Sequence, residues 1–333
     1  MITKLKGYKF LANGKLSFLS STPSGGNGSG AELGSQGALA LDDVQPHWLF
    51  AVNAGSNSIS SFSISDNGSL TLAHTVSSNG TLPVSLTFRN NFLYIVNSGS
   101  ANISGFTFGA GGTLTLIPGS SQPLSAANAT PAQISFKPGR QFLFNKELVV
   151  TEKTTNKITT FPLTSGVAQA GSSVTSANTT PFGFDFTVVD EATGFMILTE
   201  AAATIPNGST VSSYSITAPP TLISGPVHAD QTAACWIVIS RDGRFVFVTN
   251  TGSNTISSFS ISNTGNLQIV SKVAATTGGA PADITFSDNE SYLYNINGGS
   301  HTISEFKKGN NNTLQSIGEV TGLPVNAAGL VAF

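Results

Sequence analysis

Six segments of this chain repeat one frame: an apolar-x-Val-x strand ending in Asn or Glu, a short loop, then a strand of the ISSF type. They read LFAVNAGSNSISSF, LYIVNSGSANISGF, LVVTEKTTNKITTF, MILTEAAATIPNGSTVSSY, VFVTNTGSNTISSF and LYNINGGSHTISEF. The frame residues are Asn53, Asn97, Glu152, Glu200, Asn250 and Asn297, separated by 44, 55, 48, 50 and 47 residues. A period of that length fits one propeller blade of four strands per repeat. Apolar and polar positions alternate between Gly/Asn turns, so each repeat is a β-meander, and no helical pattern of useful length occurs.

Each repeat also supplies a candidate inner strand: GALAL, VSLTF, AQISF, FGFDF, WIVIS, DITFS and, at the end of the chain, AGLVAF. The last has no repeat after it. Its partners are KLKGYKF and GKLSF in residues 4–18, which read as the third and outer strands of the same blade. The expected fold is therefore all-β: one domain, residues 1–333, forming a seven-bladed β-propeller of four-stranded antiparallel blades. One blade lacks its second strand and is closed by the N- and C-termini together. A gap inside a sheet leaves backbone groups unsatisfied, which favours a natural chain that begins further upstream, with a leader and the missing strand. Residues 141–147, QFLFNKE, read as a short insertion in the third blade, and its outer strand near GVAQAG, 166–171, is poor.

Composition excludes several classes. Charged residues make up 10% of the chain and the net charge is −2. Lys and Arg never cluster beyond short pairs, so the basic footprint of a nucleic-acid binder is missing. No apolar run approaches a membrane span. Cys235 is the one cysteine, which rules out an intrachain disulfide and a cysteine zinc site. The N-terminus lacks the apolar stretch of a signal peptide, yet nine Asn-x-Ser/Thr sequons occur, at Asn27, Asn67, Asn79, Asn102, Asn128, Asn178, Asn207, Asn289 and Asn311. In a eukaryote these point to a secreted protein; otherwise the chain reads as cytoplasmic. A monomer is expected.

In a meander the end of each second strand and the start of each inner strand share one face, where ligands of propellers usually bind. Residues expected to rim the funnel there include Gln36, Gln133, Lys153, Phe182, Trp236 and Asp283. His228 and His301 lie in loops of the same face. An Asn at the frame position is explained as a turn residue. Glu152 and Glu200 in adjacent blades call for more: projecting to one region, each carboxylate raises the other's proton affinity. The bland alternative pairs Glu152 with Lys153 or Lys157 and leaves Glu200 solvated. Two chemistries fit a working site. In one, Glu152, Glu200 and Asp283 hold Ca2+, which polarises a carbonyl and activates water. In the other no metal is present, and His228 or His301 acts as base beside a Glu acid. Trp236 could stack on a flat ligand, while Cys235 reads as inert packing.

VFVTNTGSNTISSF, the SRDGR turn at 240–244 and the Pro before successive inner strands (Pro83, Pro131, Pro181, Pro281) resemble the YVTN-type propellers of the lactonase superfamily. That group includes relatives of 6-phosphogluconolactonase and 3-carboxymuconate cyclase. The resemblance spans nearly the whole chain and implies the propeller fold. It also implies a lactonase-like hydrolase or cyclising isomerase. All four arginines, Arg89, Arg140, Arg241 and Arg244, fall in or beside the inner-to-second-strand turns, on the face away from the expected site. A phosphorylated or tricarboxylate substrate would call for clamps of Arg or Lys, so the expected substrate is a neutral or weakly charged cyclic ester. The other reading is a non-catalytic extracellular propeller that binds a glycan or a protein.

Overall fold

The computed structural model describes residues 2–43, 47–138, 147–187, 194–203 and 205–333. Six antiparallel sheets follow one another along the chain, each running from an inner to an outer strand. The inner strands are Leu39–Leu41, Pro83–Arg89, Pro131–Phe136, Pro181–Phe186, Ala234–Ile239 and Pro281–Phe286. The second strands are Trp48–Asn53, Phe92–Asn97, Glu147–Glu152, Phe195–Glu200, Phe245–Asn250 and Tyr292–Asn297. Every second strand ends on its frame residue, so the repeat in the sequence is the blade of the structure. The poor outer strand of the third blade is split into Val167–Ala168 and Ser172–Thr175, both paired with Lys157–Thr164. Most of QFLFNKE lies outside the described residues, as does Arg140.

Neighbouring blades are joined by apolar packing rather than by hydrogen-bonded ladders. An aromatic residue from one second strand meets one from the next inner strand: Phe50 stacks on Phe88 at 4.6 Å, and Tyr94 meets Phe136 edge-on at 5.9 Å. Phe247 does the same with Phe286 at 5.7 Å. Burying each such ring contributes roughly 1.5–3 kcal/mol, which makes the inter-blade seams the main source of stability.

The seventh blade completes the ring. The strands Ile2–Phe10 and Leu16–Asn27 form a hairpin that pairs with no other strand. Tyr294 Oη donates to the Gly14 carbonyl at 2.7 Å, as Tyr94 Oη donates to the Gly166 carbonyl at 2.7 Å two blades after the first. The hairpin thus holds the third and outer places of a blade. Gly14 has φ +81°, and a Cβ there would stand 2.0 Å from the Tyr292 ring, so only glycine fits this turn.

Residues 327–333 take the inner place. Leu330 N donates to Asp283 Oδ2 at 3.1 Å, just as Ile239 N donates to Asp185 Oδ2 at 3.0 Å between two complete blades. The expected strand AGLVAF is in position but forms no ladder, because among the described residues no second strand lies between it and the hairpin. The exposure follows. Six of the seven positions of Ser58–Ile64, a third strand in a complete blade, are buried, whereas none of residues 3–10 or 327–333 is. No helix of the described residues is long and apolar enough to cross a membrane.

Candidate functional site at the mouth of the central funnel

Side chains alternate along each second strand, and that alternation decides what the frame residue can reach. Thr151 and Thr199, one residue earlier, face the next blade: Thr151 Oγ1 donates to the Phe182 carbonyl at 2.5 Å and Thr199 Oγ1 to the Cys235 carbonyl at 2.6 Å. The frame residue faces its own third strand. Asn250 Nδ2 donates to Thr255 Oγ1 and Ser257 Oγ at 3.1 and 2.8 Å, and Asn297 Nδ2 makes the same pair of bonds to Thr302 and Ser304 at 3.0 and 2.8 Å.

Glu152 and Glu200 do the same work with more partners. Glu152 Oε1 accepts from Ser125 N at 3.1 Å and Thr159 Oγ1 at 2.6 Å, while Oε2 accepts from Thr155 Oγ1 at 2.7 Å and from Ser125 Oγ. Glu200 Oε1 accepts from Ser176 Oγ at 3.0 Å and Tyr214 Oη at 3.4 Å. Its Oε2 accepts from Thr210 Oγ1 at 2.7 Å and Ser212 Oγ at 2.9 Å. Both residues are 0% exposed. Burial pushes the Glu200 carboxyl up from its ordinary value, against the pull of the hydroxyls of Thr210, Ser212 and Ser176.

The expectation that the two glutamates converge on one open site is therefore corrected. Each is sealed in a cage of donors from its own blade and from the link that leads in from the blade before, and among the described residues the two share no hydrogen-bond partner. Among the described residues no group of three or more His, Cys, Asp or Glu side chains could hold a metal ion, so Glu152, Glu200 and Asp283 do not meet in the Ca2+ set expected of them. Asp283 is occupied instead by the backbone N–H groups of Ile284 and Leu330.

The histidines fall elsewhere too. His301 has φ +60° and holds the left-handed turn position that Asn57, Asn156 and Asn254 hold in other blades, at φ +52°, +55° and +56°. Its place is set by the turn. His228 ends the outer strand Leu222–His228, opposite Thr210 and exposed to solvent at the rim of the ring. No hydrogen bond among the described residues links either histidine to the funnel.

The funnel mouth gathers the remaining candidates. The position after the frame residue is Ala54, Ser98, Ala201, Thr251 or Gly298 in five blades and Lys153 in the third. Lys153 Nζ lies 5.2 Å from the centre of the Phe182 ring, a cation–π contact. Phe182 in turn meets Trp236 at 4.9 Å with the rings inclined by 61°. Burial lowers the Lys153 pKa from its ordinary value, against the opposing influence of Cys235 and Glu32. Gln133 lies in the adjoining layer, where its Oε1 accepts from Phe184 N at 2.7 Å and ties two inner strands together.

Across this mouth runs a strap, residues 30–37, with the sequence GAELGSQG. Lys153 Nζ donates to the Gly34 carbonyl, and Trp236 Nε1 donates to the Ser35 carbonyl at 2.9 Å. Ser35 Oγ donates to the Val84 carbonyl at 2.8 Å, and Gln36 N to the Ala132 carbonyl at 3.0 Å. The Gln36 amide closes a pair with the Ile237 backbone, accepting from N at 3.1 Å and donating to O at 2.8 Å. It can do so because residue 183 is glycine: a Cβ there would stand 2.3 Å from Gln36 Oε1. The strap thus touches the inner strands of four blades. The structure brings Gln36, Lys153, Phe182 and Trp236 together, with Gln133 beside them, and leaves out Glu152, Glu200, Asp283, His228 and His301.

Sequence reasoning missed Glu32 and the strap. Their signal was the unusually long Gly/Ser-rich link GGNGSGAELGSQG ahead of the first inner strand.

The three arginines among the described residues stand where expected. Arg89 ends an inner strand, and Arg241 and Arg244 flank the turn after another, at the opposite end from the mouth. Arg241 Nη2 donates to the Asp288 carbonyl at 2.5 Å in the turn of the next blade.

Cys235, beside Trp236, is 7% exposed, and burial pushes its thiol up to about 12, only partly offset by Thr251 and Lys153. The thiolate is the reactive form. Disulfide reagents at pH 8 are therefore expected to leave Cys235 unlabelled in the folded protein and to label it fully in denaturant. Rapid labelling of the native chain would show that this part of the mouth is open.

A ring of six complete blades, closed by a hairpin and the C-terminal segment, with a cation and two aromatic residues at its mouth, defines a class of propeller. The chain belongs to the lactonase, seven-bladed β-propeller family, whose model matches residues 7–123 and 122–333. Among solved structures it is similar to a candidate 6-phosphogluconolactonase from Bacteroides fragilis, at 18% identity and TM-score 0.74, covering 96% of this chain and 91% of that one. It is similar also to the periplasmic gluconolactonase of Pseudomonas aeruginosa, at 15% identity and TM-score 0.74, covering 96% and 92%. Virginiamycin B lyase from Staphylococcus aureus shares the fold at 16% identity and TM-score 0.61, covering 92% and 91%. The comparison with curated proteins found no match.

Proposed function

We propose that this protein is a lactonase-like hydrolase that opens a neutral or weakly charged cyclic ester at the funnel mouth. The observation that supports this reading is the meeting of Lys153, Phe182 and Trp236 on the face away from the arginines. The lactonase names of the two bacterial neighbours agree with ring opening of a sugar-type lactone. A phosphorylated ring would require further cations beside its phosphate. The mouth offers Lys153.

The chemistry follows from the groups in place. The aromatic pair receives the apolar C–H face of the ring. Lys153 Nζ donates to the ester carbonyl oxygen and stabilises the negative charge that develops there as water adds to the carbonyl carbon. The ring C–O bond then breaks, and the leaving oxygen takes up a proton as the hydroxy acid forms.

Hydrolysis of glucono-1,5-lactone and of its 6-phosphate, followed by acid release, tests the reading. Turnover of the uncharged lactone is expected, with a fall in kcat of roughly 10²–10³ on Lys153→Met, the usual worth of one oxyanion donor. An unaffected variant, or a preference for the phosphate ester, would reject it. The binding reading, a propeller that holds a glycan, draws on the same aromatic pair, Phe182 and Trp236. It would be favoured by retention of a sugar without turnover.

A further inference from the structure

Two donors from different blades, Lys153 Nζ and Trp236 Nε1, converge on the carbonyls of consecutive residues, Gly34 and Ser35. Buried donors keep a partner in folded proteins, and one left unpaired is costly. Whatever enters this mouth must therefore replace both carbonyls at once. The strap that supplies them is open at one end. Its backbone takes positive φ at Gly30, Gly34 and Gly37, at +78°, +55° and +81°, and residues 29–32 are exposed. A Cβ on Gly30 would meet nothing within 4 Å, while the Gly30 carbonyl accepts from Asn326 Nδ2 at 3.2 Å. The attachments of the strap are mostly single hydrogen bonds, apart from the paired Gln36–Ile237 contact and the half-buried Leu33.

We infer that the Gly34–Ser35 peptide occupies the place of a ligand, and that Lys153 and Trp236 together read a molecule carrying two oxygen acceptors. Resting on the hydrolase reading, Lys153 takes the carbonyl oxygen of the lactone, and Trp236 Nε1–H takes a hydroxyl oxygen further round the ring. Trp236 is then a specificity residue, and the strap competes with the substrate. The apparent affinity is reduced by the fraction of molecules in which the strap is closed.

Binding is measured separately from turnover with gluconolactam, in which a ring amide replaces the ester. Trp48, half-buried outside the mouth, is first replaced by Phe, leaving Trp236 as the one tryptophan of the chain. Gln36→Ala removes the paired contact with Ile237, and Gly30→Ala strains the closed strap without touching any neighbour. Tighter gluconolactam binding is expected in both, by about tenfold and about fivefold, the scale of one or two hydrogen bonds and of one residue forced to positive φ. Quenching of Trp236 by acrylamide should rise in the free variants and fall when the lactam is added. Unchanged or weaker binding in both variants, with the fold intact, would overturn the competition.

Trp236→Phe, read by calorimetry, should weaken gluconolactam about tenfold while leaving δ-valerolactam, which lacks the second oxygen, unchanged. Equal loss for both would overturn the role of Nε1. Lactam binding that responds to these variants without any lactone turnover would leave the inference standing and remove the hydrolase. Turnover that ignores the strap would do the reverse.

Discussion

Glu152→Ala and Glu200→Ala are each expected to destabilise the fold by about 3–4 kcal/mol, the largest single-residue effects outside the aromatic seams. The size follows from the cages. Alanine removes the acceptor for four donors at Glu152 and for four at Glu200, and leaves hydroxyls buried beside a new cavity. Glutamine keeps the shape and one acceptor oxygen but turns a donor towards donors, so roughly half the loss is expected for Glu152→Gln. Because the two sites share no partner, the double alanine variant should show a nearly additive loss. Urea unfolding measures all of these. An alanine variant within about 1 kcal/mol of the parent would contradict the cages, and so would a glutamine variant that folds normally but loses turnover.

Stability should also fall as the pH rises from about 4 to 7, and Asp283→Asn should flatten that slope. Asp283 is 5% exposed, and burial pushes its carboxyl from the ordinary 3.8 up to about 7, against the pull of the Ile284 and Leu330 N–H groups. In that window the folded chain holds a proton that the unfolded chain has released. The folded state thus binds more protons, and its stability declines with rising pH. A shift of about three pH units, at about 1.4 kcal/mol each, sets the full decline near 4 kcal/mol, complete above pH 7. Asparagine stays neutral throughout. The variant is expected to be more stable than the parent at pH 8, with the difference closing towards pH 4. Burial pushes Asp185 up as well, to about 6, and raises Glu200, so a shallower slope should survive in the variant. Parallel curves for parent and variant would exclude Asp283 as the source.

The ring was legible because its signal is periodic. The frame residues mark the ends of the second strands, and the turn face could be inferred from chain direction alone. Lys153, Phe182, Trp236 and Gln36 came out on that face because each sits at a strand end whose direction the meander dictates. Glu152 and Glu200 were misplaced by one bit of information. Period-two alternation says that neighbours along a strand face opposite ways, but not which of Thr151 and Glu152 faces the adjacent blade. His301 carried a readable hint, since Asn holds its position in three other blades and Asn tolerates the left-handed turn. The strap has no periodicity, so its length was visible but its course across the mouth was not.

The seventh blade gives the ring a seam. Six blades carry continuous ladders from axis to rim; at the seam side-chain bonds such as Asp283 to Leu330 and Tyr294 to Gly14, with the apolar packing of Tyr8, Phe10 and Leu330, take the place of a ladder. In a closed hoop the diameter of the bore is fixed by circumference, and a small slip at one joint is shared by every wedge around it. Lys153 and Trp236 stand in different wedges and hold two carbonyls of one segment. A slip at the seam, in contacts that never touch the mouth, would be read there as a change in the spacing of these two donors.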